Sequence, residues 1–251
     1  MSAAAMLEMV CLGAVFGGFG GLLGVGGGII AIPVLVLLFG MDQQSAQGTA
    51  LVMILPSVLV GFWKYRQRNA IDLRMAALLS ATAVFATYFA ARIANLVPSD
   101  ALRAAFGAFL VIMAGYLVWK ARNRAGTKDP RPALRWPFSG LVGAAGGLLS
   151  GLFGVGGATI APPALTGFFG LTQTAAQGLA LAMIAPGTIV ALAVYARAGA
   201  VDWTMGLAMA LGSLVAVPAG VAAAHALPAE KLKLAFCGFL MLSATMIVAG
   251  H

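Results

Sequence analysis

Gly24-Val25-Gly26-Gly27-Gly28 and, 130 positions later, Gly154-Val155-Gly156-Gly157 are the residues of this chain best suited to hold an anion without a cationic side chain. Glycine lets backbone N–H groups approach a ligand closely, and a helix starting beside such a run adds unpaired N–H groups and a positive dipole end. A second polar motif repeats at the same offset, Ser45-Ala46-Gln47-Gly48-Thr49 against Ala175-Ala176-Gln177-Gly178-Leu179. The amides of Gln47 and Gln177 can donate to an oxyanion. Ser45 and Thr49 carry hydroxyls that Ala175 and Leu179 lack, so a site built from both copies is symmetric only in part. The candidate binding residues are therefore Gly24, Gly26, Gly27, Gly28, Gln47, Thr49, Gly154, Gly156, Gly157 and Gln177. Each has a plain structural reading beside the chemical one: glycines as close helix contacts, glutamines as helix starts at the membrane interface.

Other chemistries are poorly served. The glycine run lacks the Gly-Lys-Ser/Thr ending of a phosphate loop, and the sixth-position glycine and following acid of a dinucleotide fingerprint. Glu8, Asp42, Asp72, Asp100, Asp202 and Glu230 all fall at ends or turns of apolar segments, which disfavours a carboxylate proton relay or cation site. Metal-ligand spacing is absent: the histidines are His225 and His251, and Cys11 and Cys237 read as small core hydrophobes. No nucleophile–base pair stands out, so the chain reads as a non-enzyme without metal or cofactor. Tyr65 and Tyr195, near segment ends, read as interface-belt aromatics, and Arg92 as a side chain snorkelling to the interface.

The elements that must position these residues are membrane spans. Of the 251 residues, 61% are hydrophobic and 9% charged, too few charges to solvate a globular surface. Apolar stretches of membrane length run over 6–40, 46–63, 73–97, 101–119, 137–170, 176–196, 203–227 and 231–250. The chain is written twice: between Leu12 and Met75, roughly 29 of about 64 positions match those 130 further on, without a gap. Pro33 returns as Pro163, Pro56 as Pro186, Tyr65 as Tyr195 and Asp72 as Asp202. This predicts a first membrane repeat over 1–120, a basic cytoplasmic linker over 121–136 and a second repeat over 137–251. The first segment of each half is too long for one crossing, since about 35 helical residues cover roughly 50 Å. The expectation is a helix, a break at the glycines and a second, shorter helix, giving about 8–10 segments in all.

Charge orients the spans. The net charge of +8 gathers in inter-helix loops, Lys64, Arg66, Arg68 and Arg74 in one and residues 120–135 in another, which reports a cytoplasmic side rather than nucleic acid. The equivalent of the first loop keeps Arg197 and Asp202 alone and reads as external, so equivalent loops face opposite sides. That is an inverted-topology repeat with broken or re-entrant helices and both termini outside. Met1–Leu12 holds Glu8 as its one charge and reads as mature protein rather than a leader. Some attraction to anionic lipid is expected, and the reading is compatible with a homo-oligomer.

Gly20-Gly21-Leu22-Leu23-Gly24-Val25-Gly26-Gly27-Gly28, Pro33 and Ala46-Gln47-Gly48-Thr49-Ala50, with Gly151-Leu152-Phe153-Gly154-Val155-Gly156-Gly157, Pro163 and Ala176-Gln177-Gly178-Leu179-Ala180, resemble the sulfite exporter TauE/SafE family, also called the 4-toluene sulfonate uptake permease family. The resemblance covers nearly the whole chain. It implies a multi-pass protein of the bacterial inner membrane that exports a small sulfur-containing anion such as sulfite or an organosulfonate by alternating access. An anion channel of the same fold, a non-transporting membrane subunit and a lipid-acting enzyme are the competing readings.

Overall fold

The computed structural model describes residues 3–123, 134–155, 157 and 159–228, together with 231, 232, 234, 235, 238 and 241–243. Gly156, Cys237, most of the 121–136 linker and most of the expected 231–250 segment lie outside the described residues. The first half holds α1 (Ala3–Leu23), α2 (Gly28–Phe39), α3 (Gln43–Arg68), α4 (Leu73–Ala94) and α5 (Ser99–Asn123). After a short 3-10 turn at Trp136–Phe138 come α6 (Ser139–Phe153), α7 (Ala161–Phe168), α8 (Gln173–Arg197) and α9 (Trp203–Ala226). Seven helices are long and apolar enough to cross a bilayer, and α2 is a shorter apolar helix. No strand occurs among the described residues. The chain is an all-α polytopic membrane protein.

Its surface agrees. Phe85, Phe89 and Ile93 on α4 and Leu207, Leu211 and Val215 on α9 are exposed. A belt of large apolar side chains facing outward is a lipid surface, and helices satisfy their own backbone groups there. Cys11 also faces outward on α1, which corrects the reading of it as a core residue.

Small residues set the packing. Gly13, Gly17 and Gly21 recur every fourth position along one ridge of α1 and meet Met209, Ser213 and Val217 of α9. A Cβ at Gly17 would stand 2.5 Å from the Ser213 Cα, so only glycine allows this approach. Gly143, Gly147 and Gly151 of α6 meet Leu79, Ala83 and Thr87 of α4 in the same way. In both pairs the residue numbers rise together, so the helices run parallel. At the 130-residue offset α6 is the counterpart of α1 and α9 of α4, so one contact is made twice, each time between the halves.

Between these pairs lie α3 and α8, packed on each other. The start of α3 meets the end of α8: the Asp202 N–H donates to Thr49 Oγ1 at 2.9 Å. The start of α8 meets the end of α3, where Thr174 Oγ1 donates to Asn69 Oδ1 at 3.0 Å. The two counterparts are therefore antiparallel. One end of the bundle gathers the α2–α3, α4–α5 and α8–α9 turns, tied by Gln44 Nε2 donating to the Val97 carbonyl at 2.8 Å. The other gathers the α3–α4 and α7–α8 turns and the end of α9, with Asn69 Nδ2 and His225 Nε2 2.9 Å apart. Leu134, near the end of the linker, donates its N–H to the Phe168 carbonyl at 3.1 Å, at this second end.

Candidate functional site

Each long segment breaks where the glycines stand. Gly24, Gly26 and Gly27 take φ of 68°, 73° and 83°, and Gly154 and Gly157 take 67° and 66°. These are left-handed conformations that side chains resist, by about 1–2 kcal/mol per residue. The break turns the chain back along the helix just left, since Gly27 packs on the Phe16 carbonyl and Gly157 on that of Gly146, eleven residues earlier in each case. A straight helix would separate such residues by roughly 16 Å. The two turns also meet each other: a Cβ at Gly28 would lie 3.4 Å from the Gly154 carbonyl oxygen.

The glutamines cross between halves to reach these turns. Gln177 of α8 lies against Gly24, whose Cβ position is 2.7 Å from the Gln177 Cβ, and Gln47 of α3 lies against Gly154 at 3.0 Å. Each is held by the other half's repeated tyrosine. Tyr65 shares its hydroxyl proton between Gln177 Oε1 at 2.9 Å and the Gly21 carbonyl at 3.0 Å. Tyr195 does the same with Gln47 Oε1 at 2.6 Å and the Gly151 carbonyl at 3.1 Å. Tyr65 and Tyr195 are 0% exposed, so the interface-belt reading is overturned. Both are anchors of the central network, because the facing helix of the other half covers them and their hydroxyls find partners there. Gln47 and Gln177 are 0% and 1% exposed and are not interface residues either.

The two networks differ in one atom. Gln177 Nε2 donates to the Leu23 carbonyl at 3.0 Å, which fixes its amide orientation. Gln47, held the same way by its tyrosine, has an Nε2 without a partner among the described residues. The hydroxyls of Ser150, Thr159 and Thr188 are also buried without partners among the described residues. Leaving such an atom unpaired costs roughly 1–3 kcal/mol, so each calls for an explanation.

Other expected residues divide. Thr49 is buried, and its oxygen closes the α8–α9 turn by accepting from Asp202, where Gly48 also packs against the Ala200 carbonyl. Gly26 and Gly28 pack on Val58 and Ile54. Arg92 is exposed and stacks over the Tyr88 ring at 5.7 Å, as an interfacial side chain does. A cleft of about 570 Å³ opens between the α2–α3 and α8–α9 turns, but Asp42 and Asp202 line it and would repel an anion. Among the described residues no group of His, Cys, Asp and Glu could hold a metal ion.

A family model described as "Sulfite exporter TauE/SafE" matches residues 9–247. Among curated relatives, "Probable membrane transporter protein YunE" of Bacillus subtilis is 26% identical over 227 residues, covering 82% of this chain and 83% of the relative. A "Probable membrane transporter protein" of Xylella fastidiosa is 26% identical over 216 residues, 84% of this chain and 82% of its own. "Probable membrane transporter protein YdhB" of Bacillus subtilis is 23% identical over 233 residues, 91% and 92% of the two chains.

Proposed function

The chain belongs to the sulfite exporter TauE/SafE family, and on that footing we propose that it is a secondary transporter, of the exporting kind, for a small sulfur-containing anion such as sulfite or an organosulfonate. The crossed network carries this reading. Two breaks with left-handed glycines touch at the centre, and each receives a glutamine from the opposite half, clamped by a buried tyrosine. Broken helices meeting between two copies of a repeat are the arrangement in which secondary transporters bind near the midplane and expose the site alternately. Main-chain dipoles and neutral amides bind the anion.

The antiparallel α3 and α8 make the halves inverted repeats in this reading. The end carrying Lys64, Arg66, Arg68, Arg74, Arg135 and Lys231 faces the cytoplasm. The first terminus then lies on the periplasmic side of a bacterial inner membrane. With no carboxylate in the glycine–glutamine network, any coupled proton rides on the anion.

The test is flux of sulfite and sulfoacetate in proteoliposomes. Replacing Gln47 and Gln177 together with leucine is expected to bring flux to background while the purified protein stays monodisperse. Undiminished flux in that double variant would remove both amides from the pathway, and conductance that never saturates would make the protein a channel.

A further inference from the structure

The two glycine breaks are not chemically equal, and the inequality is concentrated in buried polar atoms. Ser150, Thr159 and Thr188 are 2%, 0% and 0% exposed, and none of their hydroxyls has a partner among the described residues. At the 130-residue offset their counterparts are Gly20, Ile29 and Val58, which carry no side-chain polar atom. The first half therefore shows that this fold can fill the same positions without hydroxyls. Ser57, Thr82 and Thr166 bond back to the carbonyl four residues earlier, the usual outlet for a hydroxyl on a helix. Ser150 on α6 and Thr188 on α8 make no such bond.

These groups belong to one neighbourhood. Ser150 occupies the last turn of α6, and its carbonyl accepts from the Gly154 N–H at 2.9 Å. Its hydroxyl lies 3.9 Å from the Cβ position of Gly187, which precedes Thr188 on α8. Thr159 sits in the break itself, two residues past Gly157. Gln47, whose Nε2 also lacks a partner among the described residues, packs on Gly154. Val58, the counterpart of Thr188, lies 3.0 Å from the Cβ position of Gly26, directly over the first break.

We propose that the anion is bound at the second break alone, by the hydroxyls of Ser150, Thr159 and Thr188 and the Gln47 amide, with the first break a dry counterpart that positions it. This rests on the transport reading above and narrows it. Three hydroxyls and one amide are neutral donors whose number and charge suit a ligand with several acceptor oxygens and one negative charge. That is the description of a monovalent –SO3 head group, free as bisulfite or carried on a short organic acid. A dianion would be left undercompensated in a buried site without a cation.

The experiment uses the full chain purified in detergent and in proteoliposomes, with sulfite at mildly acidic pH as the probe. Thr159→Val and Thr188→Val keep the shape and remove the hydroxyl, Ser150→Ala removes the third, and Val58→Thr is the matched change on the first side. The triple variant is expected to raise the half-saturating concentration at least tenfold and to lose thermal stabilisation by sulfite, whereas Val58→Thr stays within twofold of the parent. Without ligand, Thr188→Val is expected to melt no lower than the parent, because an unpaired hydroxyl leaves a buried site. The proposal is overturned if the triple variant transports with the parent's half-saturation, or if Thr188→Val melts lower with unchanged transport, as for a hydroxyl bridged by a structural water. An untouched parent that moves neither sulfite nor sulfoacetate would instead bring down the transport reading, and this proposal with it.

Discussion

The first and second breaks start from nearly the same residues and end as different structures. In the first, α2 resumes at Gly28 and runs for 12 residues, whereas in the second, α7 resumes at Ala161 and runs for 8. One substitution bears directly on where the second helix resumes. Ile32 in the first copy is Pro162 in the second, placing two prolines together. Pro162 and Pro163 have no N–H to give residues 158 and 159, so a helix cannot be extended back through them. Both prolines then occupy the first turn of α7, where the missing donors are tolerated. Pro33, by contrast, lies inside α2. The wider second break is also the one with the unpartnered hydroxyls. A duplicated scaffold has kept its anchors (glycine, glutamine and tyrosine) and changed the lining of one side.

The largest effect should come from the anchors the halves share. Gly24→Ala and Gly154→Ala each put a Cβ on a residue at φ near 68° or 67° and into the facing glutamine. Each is expected to lower flux more than tenfold, with about 1–2 kcal/mol from backbone strain alone. If the halves differ as argued, Gly154→Ala, which displaces Gln47, should also abolish stabilisation by sulfite. Gly24→Ala should leave a measurable part of it. Thermal melts with and without sulfite separate the two.

Next come the tyrosines. Tyr65→Phe and Tyr195→Phe each strand a buried glutamine oxygen and a glycine carbonyl, at roughly 1–3 kcal/mol. Equal loss of thermal stability is expected, since both hydroxyls make the same pair of bonds. A several-fold rise in half-saturating anion should appear for Tyr195→Phe alone, because Tyr195 holds Gln47. Unequal melts would break the equivalence of the two networks.

The smallest effect should belong to Thr49. Thr49→Val removes the bond from Asp202, worth about 0.5–1.5 kcal/mol, and should lower the melting point without changing half-saturation. Leu179→Thr on the other side should not raise it. A change in anion affinity on Thr49→Val would return Thr49 to the binding site.

The breaks and spans could be read from the sequence because each rests on a local backbone constraint. Gly24-Val25-Gly26-Gly27, repeated inside a stretch too long for one helix, leaves the chain little choice but to turn. The lipid-spanning helices follow from apolar length in the same direct way. The burial of Tyr65 and Tyr195 is not legible in local sequence because it depends on a helix of the other half, with partners 112 and 148 positions away in the chain. A sign was present all the same: both tyrosines recur in register with the glutamines, which an interface belt does not require. Ser150, Thr159 and Thr188 escaped for the opposite reason. They do not repeat, so the duplication carries no sign of them.

The pairing of α1 with α9 has a consequence for how the molecule is made. Gly13, Gly17 and Gly21 present bare backbone to Met209, Ser213 and Val217, which leave the ribosome almost 200 residues afterwards. At about 5–20 residues per second, the first helix waits roughly 10–40 s for its lifelong neighbour. During synthesis that glycine ridge faces lipid or an insertion factor, so a nascent chain stalled before α9 presents quality-control proteases with an orphan helix.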